Sequence, residues 1–222
     1  MRAHEYFVFP IPDAIPSHLA APMLCAGLAV WEPLVRAGAG PGKRVAIVGL
    51  GGLGHFAVMF ANALGAEATV ISHSPSKEDD ALELGAKHFV SSGEEGWARP
   101  LAFKFDLVLS TADVLQTSTL QDYLSTLKVG CKFHQVGLPD EPIKELKPQQ
   151  LMSNACSIGS SHIGSRTECL AMLRLAAEKK LRPMVETVSI SEKGCADVVE
   201  RVKNNKVRYR FALVDYDKVF GT

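Results

Sequence analysis

The chain has 222 residues, 47% of them hydrophobic, and its 24 Lys and Arg are balanced by 24 Asp and Glu. That size and apolar content suffice for a buried core, and the balanced charge supplies no field to attract nucleic acid or an anionic membrane, so small molecules or protein are the expected partners. No segment reads as the roughly 20 apolar residues of a bilayer span, and "MRAHEYFVFP" lacks the core of a signal peptide, which makes the cytoplasm the expected address.

In chain order, "HEYFVFPIPDAIP" is expected as a strand running into a proline-rich connection. "SHLAAPMLCAGLAVWEPLVRAG" follows as one apolar helix with Ser17 as its cap. From Arg44 to about Gly159, short β-branched runs alternate with helical patterns, as parallel βαβ units require. The strands are "RVAIV", "EATVIS", "KHFVS", "FDLVLS", "CKFHQV" and "ACSIGS"; the helices are "GLGHFAVMFANALG", "SKEDDALELG", "TSTLQDYLSTLKVG" and a short piece near "KPQQLM". Several helices end in Gly, which accepts the left-handed conformation without a Cβ clash. Ser76 is a candidate cap for the second of them. Beyond Gly159 come a helix ("TECLAMLRLAAEKK"), a strand ("PMVETVSI"), a helix ("EKGCADVVERVKNN") and a last strand ("YRFALVDY"), read as a separate tail. The expected fold class is α/β, a doubly wound parallel (Rossmann) sheet.

Gly49, Gly51 and Gly54 form G-x-G-x-x-G between the strand "VAIV" and a helix. In that setting Gly49 permits the tight turn, Gly51 lets the backbone approach a pyrophosphate and Gly54 lets the helix lie against the sheet. With Gly52 and Leu53, this loop presents a helix N-terminus to an anion. An NAD-preferring protein places an acidic residue at the end of the second strand; here that place holds Ser72, followed by Ser74 and Lys77. These groups donate to a 2′-phosphate that a carboxylate would repel, so NADP is expected over NAD. Thr111 and Val136 follow or end strands at the same edge and are expected to meet the cofactor, mostly through backbone atoms.

"AAPMLCAGLAVWEPL", "PGKRVAIVGLGGLGHFAVMFANALGAE", "VISHSPSKEDDALELGA", "GSRTECLAMLRLAAEKKLRPMVE" and "RYRFALVDY" together resemble the zinc-containing medium-chain alcohol dehydrogenases, in their cinnamyl alcohol dehydrogenase-like, NADP-dependent branch. The resemblance implies a catalytic-domain remnant over 1–17, an NADP-binding domain over 18–158, and a return to the catalytic domain over 159–222. It matches Cys25 to a ligand of the catalytic zinc, Ser72, Ser74 and Lys77 to 2′-phosphate contacts, and Arg208 to a pyrophosphate contact. It further implies a dimer paired through "ACSIGSS", or association with an intact paralogue. The family's other zinc ligands and its proton-relay hydroxyl have no counterpart in this sequence, which reads as truncated. Ala29 stands where the family places Thr beside the nicotinamide.

Catalytic zinc normally takes three protein ligands and an open position. Cys25 is therefore read as a vestigial ligand, unoccupied and buried as a small hydrophobe, and zinc is not expected. His4-Glu5 lacks the second histidine of a zinc-binding helix. The remaining cysteines (Cys131, Cys156, Cys169, Cys195) are scattered, with no Cys-x-x-Cys spacing, and read mostly as inert buried thiols. His162, after the last sheet strand, is the candidate acid or electrophile, with His55 second. The expected function is hydride transfer between NADP(H) and an alcohol or aldehyde, zinc-independent or complemented by another chain. A non-catalytic NADP(H)-binding subunit, a pocket turned to a non-redox step, and a fragment of a longer protein remain alternatives.

Overall fold

The computed structural model describes residues 2–113, 117–143, 146–204 and 206–221. The six expected apolar runs become strands β1 Arg44–Val48, β2 Glu67–Ser72, β3 His88–Ser91, β4 Phe105–Ser110, β5 Leu127–Gln135 and β6 Ser157–Ser160. They form one parallel sheet in the order β3-β2-β1-β4-β5-β6. This is the doubly wound Rossmann arrangement. Because the strand order reverses between β1 and β4, a crevice opens beyond their carboxyl ends. Val45 and Ile47 pack into the core on one face and Ala46 and Val48 into the core on the other, so β1 is apolar throughout rather than alternating.

The helix at the front is interrupted. α1, Ser17–Pro22, and α2, Leu28–Arg36, are separated by a widened π turn over Met23–Gly27, where the Leu28 N–H reaches the Met23 carbonyl. Met23, Ala26 and Gly27 are buried while Cys25 is exposed, which corrects the reading of Cys25 as a buried hydrophobe. Ser17 does not cap: Pro16 holds the cap position and no side chain bonds there. The helical run Ser17–Arg36 is long and apolar enough to cross a bilayer by length and composition, contrary to expectation, but two-thirds of it is buried inside the fold.

Other expectations are corrected locally. "YFVFP" forms no strand: Glu5–Phe7 is an exposed 3-10 turn whose Tyr6 N–H bonds His4 Nδ1. With no strand beside it among the described residues, the backbone closes on itself. The helix expected to run to Gly130 ends early, as α5 Thr117–Ser125. The Thr126 hydroxyl donates to the Tyr123 carbonyl (2.7 Å), and "LKVG" passes into β5. There the register slips between Phe105 and Leu107 to admit the turn at Gly130, φ +73°. Ser76 does not cap α4, Glu78–Glu83, whose cap position is Lys77 with no side-chain bond; Ser74 caps the 3-10 turn Pro75–Lys77 ahead of it, its Oγ accepting from the Ser76 N–H at 3.3 Å.

One face of the sheet is covered by α2, α3 (Gly54–Ala63) and, beyond the short α6 (Gln149–Met152), by α7 (Arg166–Glu178). A reciprocal Ser165–Glu168 capping box starts α7, which buries Cys169, Met172, Leu173 and Ala176 in the same core as Met23 and Phe60. The tail is therefore not separate in packing, and a boundary at 158 would cut β6. β7, Val185–Ser189, and β8, Arg210–Val214, pair in parallel as a second small sheet around α8, Glu192–Lys203. Asn205, the expected end of that helix, lies outside the described residues. The chain then turns at Asp215 into a short α9, Tyr216–Phe220, where the last strand had been expected to continue.

Buried Asn154 fixes the descent into β6 by donating from Nδ2 to the Leu124 and Leu127 carbonyls at 2.8 and 3.0 Å. Asn154→Ala strands those acceptors and is expected to cost about 2 kcal/mol in urea unfolding. An unchanged midpoint would mean the two carbonyls find other donors.

Candidate functional site

The carboxyl ends of β1, β2, β4 and β5 open onto a cleft of about 1010 Å³. Its floor is the loop from β1 to α3. Gly49 adopts φ +85° and its N–H bonds the Ile71 carbonyl (2.9 Å), turning the chain away from the sheet. The Thr111 hydroxyl lies 3.0 Å from both the Val48 and Gly49 carbonyls and ties the turn to the end of β4. A Cβ on Gly54 would meet the Gly49 carbonyl oxygen at 2.0 Å, so only glycine lets α3 begin this close to the sheet. A Cβ on Gly51 would have nothing within 4 Å, because that Cα looks into open space. The His55 N–H is the first in α3 to find an acceptor, the Gly51 carbonyl at 3.1 Å, so the N–H groups of the loop ahead of it lack helical acceptors and form a ready anion cradle.

Ser72, at the end of β2, and His73 form part of the cleft's wall. Lys77 leans in from the turn before α4, its Nζ donating to the Leu50 carbonyl (2.7 Å) and lying 5.9 Å from the centre of the Tyr209 ring. Arg210 closes the loop from the opposite side, its Nε donating to the Gly52 carbonyl at 3.0 Å. Burial lowers the Arg210 pKa, and nearby Cys25 acts in the opposite direction. His55, in the first turn of α3, is fully buried and stacks on Tyr209 with centroids 5.3 Å apart. Its Nδ1 lies 3.2 Å from the Gly51 carbonyl, an acceptor, so the neutral ring carries its proton on Nδ1. Burial, assisted by Arg210, lowers the His55 pKa to about 4.

The structure gathers Gly49, Gly51, Gly52, Leu53, Ser72, Lys77, Thr111 and Val136 around this cleft, with Gly54 beneath the loop. It does not bring in the rest. Ser74 is spent on Ser76. Arg208 lies outside the cleft, exposed and paired with Asp80, and Arg210 stands at the loop instead. Two residues apart on a regular strand, the two arginines would share a face, but Arg208 lies before β8 begins and alternation does not direct it; spacing alone does not choose between them. His162 is exposed beyond edge strand β6 and lines no part of the cleft. His55 is locked into packing. Tyr209 and His73 were missed; neither carries a sequence motif, and only the return of β8 over the loop brings Tyr209 there.

The residues around the cleft fit a dinucleotide: the loop leaves room at Gly51, exposes helix N–H groups and has cations on two sides. They do not fit zinc by themselves. Among the described residues no three His, Cys, Asp or Glu side chains come together to hold a metal, so Cys25 belongs to no such group.

Residues 52–178 match the family model described as zinc-binding dehydrogenase. The chain belongs to that family. It is 44% identical over its whole length to the NADP-dependent alcohol dehydrogenase 6 of Saccharomyces cerevisiae, of which it covers 61%. A cinnamyl alcohol dehydrogenase structure from Sorghum bicolor superposes with a TM-score of 0.86 at 37% identity, covering 93% of this chain and 58% of that one. The CAD of Helicobacter pylori, solved in complex with NADP(H), gives 0.78 at 27% identity over 93% of this chain and 57% of that one. The chain thus spans about three-fifths of the length of the relatives it matches.

Proposed function

We propose that this chain binds NADP(H) across the carboxyl edge of its sheet and serves hydride transfer between that cofactor and an alcohol or aldehyde. The observation that carries the reading is the pairing of an open glycine cradle with a second-strand end that holds Ser72 and Lys77 and no carboxylate. The α3 N-terminus and Arg210 would hold the pyrophosphate. Ser72 and Lys77 would hold the 2′-phosphate. Thr111, Val136 and the backbone beyond β5 would border the ring that carries the hydride. When bound, the nicotinamide supplies or accepts that hydride. The names of the yeast and Helicobacter proteins support NADP, and those of the yeast and Sorghum proteins support an alcohol or its aldehyde.

The electrophile that polarises the substrate oxygen is proposed to come from another chain, because Cys25 belongs to no group of three metal-ligating side chains among the described residues. The same isolation favours a second reading, a subunit that binds NADP(H) without turning substrate over. Edge strand β6 is where a second copy or an intact paralogue would pair. Five free cysteines suit the reducing cytoplasm.

Calorimetric titration with NADPH and NADH, followed by assay of NADPH oxidation against aromatic and aliphatic aldehydes, separates the readings. Binding with turnover supports the oxidoreductase, binding without turnover supports the subunit, and absence of binding defeats both. Within that titration, Ser72→Asp sets a carboxylate against the 2′-phosphate and should weaken NADPH by about 30-fold while sparing NADH. Equal loss for both nucleotides would remove Ser72 from the phosphate site.

A further inference from the structure

Asp80 presents a difficulty for the cofactor reading. It lies three residues beyond Lys77, in the first turn of α4, at the spacing where a carboxylate and an ammonium on one helical face attract each other. Glu78 and Asp79 are exposed and stand one and two residues from Lys77, positions that do not share its face. Asp80 alone is enclosed, its side chain only 14% exposed. A carboxylate so placed would compete with any phosphate for Lys77.

The structure shows both Asp80 oxygens already taken. Arg208 Nη2 donates to Oδ1, and the Tyr209 hydroxyl donates to Oδ2 at 2.5 Å. The recorded contacts of Lys77 are the Leu50 carbonyl and the Tyr209 ring, with no carboxylate among the described residues. One dipeptide arriving from the far end of the chain therefore occupies the competitor and borders the cation. Tyr209 is held in turn by its stack on His55, at the start of the helix that carries the cradle.

We propose that Arg208 and Tyr209 are positioning residues for cofactor selectivity: by holding both oxygens of Asp80 they keep Lys77 available to the 2′-phosphate of NADP(H). The inference rests on the NADP(H) reading above. It gives Arg208 a role in nucleotide choice without contact to the nucleotide.

The test is titration of the full chain and its variants with NADPH and NADH. Tyr209→Phe removes one hydroxyl, keeps the ring and changes no charge; it should weaken NADPH about fivefold and leave NADH unchanged. Arg208→Gln should do the same more strongly. Asp80→Asn alone should change little, since that charge is already engaged, but should restore NADPH affinity when added to either variant. If Asp80→Asn alone raises NADPH affinity as much as Arg208→Gln lowers it, the charges act through a general field and the positioning role is overturned. Equal weakening of both nucleotides, or failure of rescue, overturns it too, by showing a merely structural part. A parent chain that does not prefer NADPH defeats the cofactor reading itself, whereas a preference that survives both substitutions defeats only this inference.

Discussion

Gly51→Asp is expected to weaken the proposed nucleotide binding severely and to leave the fold intact. The backbone at Gly51 is not left-handed and a Cβ there meets nothing within 4 Å, so the substitution introduces neither strain nor overlap. The new carboxylate would stand in the cradle formed by the α3 N-terminus, where it would oppose a pyrophosphate and occupy the same N–H donors. The expected loss is on the order of 10³-fold in NADPH affinity, or about 4 kcal/mol, with a melting temperature within about 2 °C of the parent. Gly54 behaves differently, because its Cβ would lie 2.0 Å from the Gly49 carbonyl oxygen and any side chain there attacks the fold itself. Calorimetry and thermal melting on the same Gly51→Asp sample check both halves. Retained binding would mean the loop does not hold the phosphates, and a collapsed melting temperature would mean Gly51 is structural.

The second large effect is an acid sensitivity centred on His55. Burial, with Arg210 acting in the same direction, holds its folded-state pKa at about 4 against an ordinary 6.5. Above pH 6.5 the ring is neutral whether the chain is folded or unfolded, and contributes no pH dependence. As pH falls from 6.5 toward about 4, the unfolded chain takes up a proton that the folded chain refuses, so folding weakens; below about 4 the penalty levels off. Its full size is on the order of 3 kcal/mol. His55→Phe keeps a ring against Tyr209 and removes the titration. Urea unfolding from pH 7.5 to pH 4 should then show the parent losing stability faster than the variant, the gap opening between pH 6.5 and 4. Parallel curves would assign the acid response to other groups, such as His134, whose pKa burial also lowers.

The two predictions concern residues of unequal legibility. Gly51 could be read as a ligand-facing position because G-x-G-x-x-G between a strand and a helix is a local pattern, and its geometry is dictated by the three glycines. His55 offers only its place beside that pattern, which makes it no more than a catalytic candidate in the sequence. It is buried with its ring stacked on that of Tyr209, more than 150 residues away. Arg208 illustrates the same limit: the resemblance directed it to the pyrophosphate, but packing turned it onto Asp80 and put Arg210 at the loop. His162 was placed by the rule that ligands gather at strand ends. The rule holds at the switch point, and β6 lies at the sheet's far edge.

By itself, the sequence determined the alternation of strands and helices, the doubly wound class, the glycine loop with its position on β1 and α3, and the lack of an acid at the end of β2. All of these follow from periodicity and from residues close together in the chain. Only the tertiary structure decided what faces the loop from β8, which arginine and which tyrosine arrive there, that Cys25 lies exposed on a widened turn, and that α7 shares the main core. Those outcomes depend on contacts between distant segments, whose register is set by the combined packing of both ends of the chain and is not encoded within any one window.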